Sequence, residues 1–232
     1  MHLTIRDLTQ LLDVSESTVN QWIKQRGLPA QQVAGRYHVH RSELLQWATA
    51  NSLKVSSALF DHWEKQGEAA PSLTEALRIG GIHYQLPSSS QDEALRALVQ
   101  VLPVPADVDR ELLLQLFLAR EASASTAIGD GIAIPHVRNP IVLHVSGPAV
   151  TLAFLAHPVD FGALDGRPVQ ALFAIISPTA RSHLQLLSRL SFVLHDVSFR
   201  ETVIRQAPCE EILGELRRIE SRMGGLVGEP ST

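Results

Sequence analysis

Along the chain, two kinds of hydrophobic pattern alternate. In residues 1–54 the apolar positions recur at helical spacing and are broken by short polar turns. Ile5, Leu8, Leu11 and Leu12 form one stripe, and Val19, Trp22 and Ile23 form a second at i, i+3, i+4. Thr4-Ile5-Arg6-Asp7 has the Ser/Thr-x-x-acid signature of a helix start. Ser15-Glu16-Ser17-Thr18 offers a cap for the second helix. The few residues around Asp13-Val14 between them predict a helix-turn-helix. Gly27 and Pro29 end the second helix. Gln32 to Val39, turning near Gly35, reads as a hairpin with Arg36 and Tyr37 at or near its tip. A third helix, from about Ser42 to Ala50, returns Leu44, Leu45 and Trp47 to the first two.

After residue 73 the pattern changes to helices interleaved with continuous apolar runs. Ala94, Leu95, Leu98, Val99 and Leu102 predict one helix, which Ser90 can cap. Leu112, Leu113, Leu116 and Phe117 predict another, ending near Arg120-Glu121. Ile132–Ile134 reads as a short strand, and 150–156 and 169–177 as buried strands bounded by Pro and Gly. His183 to about His195 is helical, with Leu184, Leu187, Leu190, Ser191 and Leu194 on one face. Two short helices finish the chain. These elements predict an α/β fold, a mixed central sheet flanked by helices on both faces, preceded by a small winged helix-turn-helix domain. The expected boundaries are 1–54 for the first domain, 55–72 for a helix and linker, 73–222 for the second domain and 223–232 for a flexible tail.

Composition sharpens this division. Residues 1–54 hold six Lys and Arg against four Asp and Glu, an excess of +2 that leaves −6 for the remainder of a chain with net charge −4. A mildly basic head on an acidic body suggests two modules with different partners. The single cysteine, Cys209, excludes an internal disulfide and points to an intracellular location. The first residues lack the apolar core of a signal peptide, and no run approaches the roughly 20 apolar residues of a membrane span. The cytoplasm, without membrane insertion, is the expected location.

Over residues 3–54 the chain resembles the excisionase or MerR-type winged helix-turn-helix family. The resemblance implies DNA as a partner, with the second helix in the major groove and the hairpin as a wing. Ser17, Thr18, Asn20, Gln21 and Lys24 face away from the apolar stripe and suit base-edge and phosphate contacts. Arg36 suits a phosphate or a narrow minor groove. The alternative for all six is a solvated helix face and a surface turn. An excess of only +2 predicts weak binding by a lone module, which dimerisation would remedy.

The chemistry concentrates in Ser125 to His136. A glycine-punctuated turn, Gly129-Asp130-Gly131, leads into Ile132-Ala133-Ile134 and stops at Pro135-His136. Pro135 fixes its own φ and cannot donate to a sheet, so His136 is held at a strand end. Imidazole is nucleophilic and close to half-protonated near pH 7. Asp130 and Asp165 read as turn residues. The eight histidines other than His136 and His183 share no ligand spacing, and neither a metal nor any other cofactor is expected.

Residues 73–220 resemble the fructose/mannitol and nitrogen-regulatory branch of the IIA proteins of the bacterial phosphoenolpyruvate-dependent sugar phosphotransferase system. The residues that carry it are Ala119-Arg120-Glu121, Ser125-Thr126, Gly129-Asp130-Gly131-Ile132-Ala133-Ile134-Pro135-His136, Pro158-Val159-Asp160-Phe161, Asp165-Gly166-Arg167-Pro168-Val169 and Ser182-His183-Leu184 with Leu187. The resemblance implies that His136 accepts a phosphoryl group from a phosphohistidine carrier protein. It implies that Arg120 stabilises charge on the moving group and that His183 is a second active-site histidine. The plainer alternatives are a cation at a helix end for Arg120 and a helix-start residue for His183. Two readings of the whole chain follow. One is a phosphoryl-accepting regulator of DNA binding. The other is a transcription factor whose second domain is silent and serves for oligomerisation or docking. A hydrolase is a third and weaker reading, because no nucleophile–base–orienter set accompanies His136.

Overall fold

A computed structural model of the chain describes residues 2–33, 35–51, 53, 71–137 and 145–225. The chain divides into two compact units, Met1–Ala70 and Pro71–Thr232. The expected helix and linker lie almost wholly outside the described residues, as does the end of the tail.

In the first unit, strand β1 (His2–Thr4) precedes helix α1 (Ile5–Leu12) and helix α2 (Glu16–Gln25). Thr4 and Asp7 form the expected capping box, and Ser15 caps α2 by accepting from Thr18 N. Asp13, in the left-handed region at φ 53°, turns the chain between them. Strands β2 (Gln31–Val33) and β3 (Arg36–His40) form the hairpin, and helix α3 (Arg41–Ala50) follows. The sequence pattern did not indicate β1. Its three residues are too short to show alternation, yet they pair antiparallel with β3, Leu3 opposite Val39, and complete a three-stranded sheet. The core gathers Leu3, Leu8, Val19, Trp22, Val39, Leu44 and Trp47. The rings of Trp22 and Trp47 stand 5.1 Å apart, and Trp47 Nε1 donates to Arg26 O at 2.8 Å, which ties α3 to the end of α2.

The second unit is a five-stranded mixed sheet in the order β4-β7-β8-β6-β5. It begins with helix α4 (Leu73–Gly80) and strand β4 (Ile82–Leu86). Helices α5 (Gln91–Val101) and α6 (Arg110–Ser123) follow, then strands β5 (Ala127–Gly129), β6 (Ile132–Ala133), β7 (Ala149–Val159) and β8 (Val169–Ile176). Helices α7 (Ala180–Leu194), α8 (Val197–Ile204) and α9 (Cys209–Gly225) close the fold. Two expectations are corrected. The last helix is 17 residues long rather than short. On α6, Leu112 is exposed and Leu114 takes its place in the core beside Leu113 and Phe117. Leu112, Leu113, Leu114, Leu116 and Phe117 cannot all share a face about 100° wide, so packing selected among them.

Helices cover both faces. Leu95, Leu98, Leu113, Leu114 and Phe117 of α5 and α6 pack on Ala133, Ala153, Leu155, Leu172, Ala174 and Ile176. Helices α7 and α8 also contact β8, and α9 packs against α4, α7 and α8. Strands β7 and β8 are apolar on successive residues because the sheet is buried on both sides. A Cβ on Gly80 would stand 2.1 Å from Val150 O, so only glycine permits α4 to end this close to β7.

One carboxylate holds the entry to this unit. Glu220 on α9 accepts from Leu73 N at 2.6 Å, Thr74 N at 2.9 Å and Ser72 Oγ at 3.1 Å, and lies 3.4 Å from Arg189 Nη1 on α7. Burial pushes its carboxyl up, but the hydrogen bonds outweigh burial and hold it below its ordinary value. A depressed carboxylate stabilises the fold above its unfolded pKa, about 4.3. That stabilisation is lost as pH falls through the folded value. Glu220→Ala should therefore cost about 2 kcal/mol at pH 7. In thermal melts between pH 7 and pH 3 the gap to the wild type should close on acidification.

Candidate functional site

The turn before β6 takes three successive residues through positive φ: Gly129 at 93°, Asp130 at 51° and Gly131 at 74°. A Cβ on Gly131 would approach Pro168 O to 3.3 Å. Asp130 is not a bare charge. Its Oδ1 lies 2.9 Å from Arg167 Nη1 and its Oδ2 3.2 Å from Arg200 Nη1. Asp165 accepts from Asp130 N at 2.8 Å and from Arg167 N at 3.1 Å. The aspartates do fold the turn, and they also carry arginines that neutralise Asp130.

Strand β6 ends at Ala133, and Ile134-Pro135-His136 continues as non-repetitive chain. His136 is buried at 1% exposure. Its Nδ1 lies 2.9 Å from Ile134 O. A carbonyl oxygen can only accept, so Nδ1 carries a proton, and in the neutral ring Nε2 then carries the in-plane lone pair. This is the tautomer a nucleophile needs when Nε2 is the attacking atom.

A ladder of hydrogen bonds leads from α6 to that imidazole. Glu121 Oε1 accepts from Thr126 N at 2.8 Å and Oε2 from Thr126 Oγ1 at 2.6 Å. Thr126 O accepts from Ile134 N at 3.0 Å, and Ile134 O accepts from His136 Nδ1. Burial pushes the Glu121 carboxyl up, opposed by the Thr126 hydrogen bonds and by the Arg120 charge. In the sequence Glu121 and Thr126 carry the family resemblance and no signal of a role. Their pairing spans a helix end at a separation of five residues, which leaves no periodic signal.

His183 stands in the first turn of α7, whose cap Thr179 accepts from Ser182 N at 3.1 Å. It is 3% exposed, and its ring centroid lies 5.2 Å from that of His136 with the planes tilted by 42°. Tertiary folding thus joins two histidines 47 positions apart in the chain. Arg120 is buried at the end of α6, where Nη1 donates to Ala124 O at 2.8 Å. That contact suits a cation at a helix end. Among the described residues no group of His, Cys, Asp and Glu could hold a metal ion.

In the first unit, Ser17, Gln21 and Lys24 are exposed, and Thr18 and Asn20 are half-buried, on α2 opposite Val19 and Trp22. Several already have local partners. Ser15 Oγ lies 2.7 Å from Ser17 Oγ and 2.8 Å from Thr18 Oγ1. Asn20 Nδ2 donates to Glu16 O at 2.9 Å and Gln21 Nε2 to Gln25 Oε1 at 3.0 Å. Arg36 is exposed at the start of β3, one residue after Gly35 at φ 77°. No helix among the described residues is long and apolar enough to cross a membrane.

Comparison with known proteins agrees with both halves of this picture. Residues 75–218 match the family described as the phosphoenolpyruvate-dependent sugar phosphotransferase system, EIIA 2, and residues 3–52 match a helix-turn-helix domain. The chain is similar to the fructose-specific EIIA component of the sugar phosphotransferase system of Haloferax volcanii, 33% identical over 141 residues, covering 58% of this chain and 90% of that relative. It is also similar to a nitrogen regulatory protein of Pseudomonas aeruginosa, 32% identical over 148 residues, covering 62% and 93%. Among solved structures it is similar to the nitrogen regulatory protein IIA-Ntr of Neisseria meningitidis, with TM-score 0.54 and 27% identity over 62% of this chain and 98% of that one.

Proposed function

This chain belongs, through residues 75–218, to the EIIA 2 family of the phosphoenolpyruvate-dependent sugar phosphotransferase system, and we propose that His136 accepts a phosphoryl group from a phosphohistidine carrier protein as an input to DNA binding by the helix-turn-helix unit. The observation that carries the reading is the bond from His136 Nδ1 to Ile134 O, which leaves the lone pair on Nε2. Nε2 attacks phosphorus while the bond from phosphorus to the carrier's imidazole nitrogen breaks. The electron pair of that bond stays with the carrier's nitrogen; with a proton on its other ring nitrogen the carrier leaves as a neutral imidazole, and His136, keeping its Nδ1 proton, becomes a phosphoimidazolium. Such transfers depend mainly on positioning and on fixed charge around the phosphoryl oxygens. Arg120 supplies a charge that cannot be lost, and His183, beside the acceptor ring, supplies a polar neighbour at a helix N-terminus.

The product places a phosphoryl group of about −1.5 to −2 charge at a buried site, offset in part while Nδ1 keeps its proton. In the proposed regulator that charge shifts DNA affinity in the cytoplasm, with two copies acting together to offset the modest charge of one head. Ser17, Thr18, Asn20, Gln21 and Lys24 would meet the major groove and Arg36 a phosphate or the minor groove.

The acceptor reading is tested by incubating the chain with phosphoenolpyruvate, enzyme I and the phosphocarrier protein and recording intact mass. A gain of one acid-labile phosphoryl group is expected. No gain under conditions that label a known IIA protein would mean a silent domain serving oligomerisation or docking. The DNA reading is tested by fluorescence anisotropy on genomic fragments across a salt series. Lys24→Ala and Arg36→Ala should each weaken binding and lower the salt slope by about one. Unaltered slopes would return these residues to a solvated surface.

A further inference from the structure

Resting on His136 as the phosphoryl acceptor, we propose that Ser177 is a further ligand of the phosphoryl group, its hydroxyl donating a hydrogen bond to a phosphoryl oxygen. The argument starts from register. Strands β6 and β8 are parallel, with Ile132 opposite Ala171 and Ala133 opposite Leu172. β6 ends at Ala133, three residues before His136, and β8 ends at Ile176, one residue before Ser177, so both residues follow the carboxyl ends of this strand pair. Alternation then assigns the faces. Ala133 and Val137 pack with Leu172, Ala174 and Ile176 in the core under α5 and α6. Within the strands, Ile132 therefore shares the opposite face with Ala171, Phe173 and Ile175, and the chain runs on from these strands to His136 and Ser177. Helix α7 also packs on β8, and its His183 ring lies 5.2 Å from that of His136. His136 and Ser177 both stand just past the carboxyl ends of parallel neighbouring strands, where α/β sheets hold their ligands.

Ser177 is 0% exposed, and among the described residues its Oγ has no hydrogen-bond partner. Several other buried hydroxyls in this unit have partners. Thr151 donates to Gly80 O, Thr126 to Glu121 and Thr202 to Ser198 O. Ser188 and Ser191 also lack partners but sit further along α7, one turn or more beyond His183, and Thr74 sits at the start of α4. Ser177 alone of these lies at the strand ends beside the acceptor. A desolvated hydroxyl is unfavourable until something accepts its proton, and such groups concentrate where a ligand will do so.

The test follows the phosphorylation time course of the full chain by intact mass, and then the decay of the label after the donor is removed. Ser177→Ala should accept phosphate about tenfold more slowly and lose it sooner, while Ser177→Thr retains the hydroxyl and stays near wild-type rates. Ser177→Ala should melt no lower than wild type, because it deletes a polar atom that had no partner. A structural role would give the reverse, a lower melting temperature with unaltered transfer. Ser177→Cys, close in size and a weak donor, repeats the comparison if the alanine variant fails to fold. A wild type that takes no label overturns the acceptor reading and Ser177 with it. A labelled wild type matched in rate and label lifetime by Ser177→Ala overturns Ser177 alone.

Discussion

His136→Asn should take no phosphoryl group at all, a fall in transfer rate of at least about 10³-fold with the fold retained. Asparagine is the informative choice. Its Nδ2 occupies nearly the place of the imidazole Nδ1–H and can still donate to Ile134 O, the bond that the wild-type ring makes at 2.9 Å. What it lacks is the nucleophilic nitrogen on the far side of the ring. Intact mass after incubation with the donor proteins reads the loss, and a melting temperature within a few degrees of wild type shows that the loss is chemical. Label persisting on His136→Asn would move the acceptor to another residue. His183→Ala should fall less far, because a neighbour that positions or neutralises is not the attacking atom.

The second large effect is expected at Glu121, which never touches the reacting atoms. Its two oxygens take the buried donors of Thr126, and Thr126 O takes Ile134 N. Glu121→Ala leaves both Thr126 donors without their acceptor in the interior, at a cost of about 3 kcal/mol. For a unit of this size that lowers the melting temperature by roughly 6–12 °C. Transfer should slow as well, since the strand that aims His136 loses its anchor. Glu121→Gln should restore most of both, because its carbonyl accepts from Thr126 N and its amide meets the Thr126 hydroxyl. The two side chains then separate by pH. Burial raises the Glu121 carboxyl. The stability it contributes is complete below its unfolded pKa of about 4.3 and is lost as pH rises through the raised folded value. Glutamine never ionises, so Glu121→Gln should gain on wild type in thermal melts as pH climbs through that window. Equal pH profiles would show that the carboxyl is not held up by burial.

Much of the helical structure is legible residue by residue. Thr4, Ser15 and Ser90 cap where Ser and Thr stand before apolar stripes, because capping is chemistry between near neighbours. The runs at 150–156 and 169–177 announce buried strands for the same local reason. The pattern does not mark strands β1, β4 and β5; β1 and β5 have three residues each and carry no period, and pairing with a neighbour decides all three. Leu112 was assigned to the core because spacing allows several faces and packing selects one.

The candidate site divides the same way. His136 stands out because Pro135 and the glycine turn are local, and Arg120 and His183 enter through a resemblance in order and spacing. The ladder through Glu121, Thr126 and Ile134, the arginines on Asp130 and the Glu220 clamp join residues from 5 to 148 positions apart. By itself the sequence determined many of the helices and the long buried strands, that a basic head precedes an acidic body, and that one histidine follows a proline just past a strand. Tertiary structure alone decided which ring nitrogen of His136 holds the proton, which histidine stands beside it and which hydroxyl is buried without a partner. Caps and periodicity act over a single turn, whereas a tautomer, a ring contact or an unmatched donor is set by groups that meet only when the sheet closes.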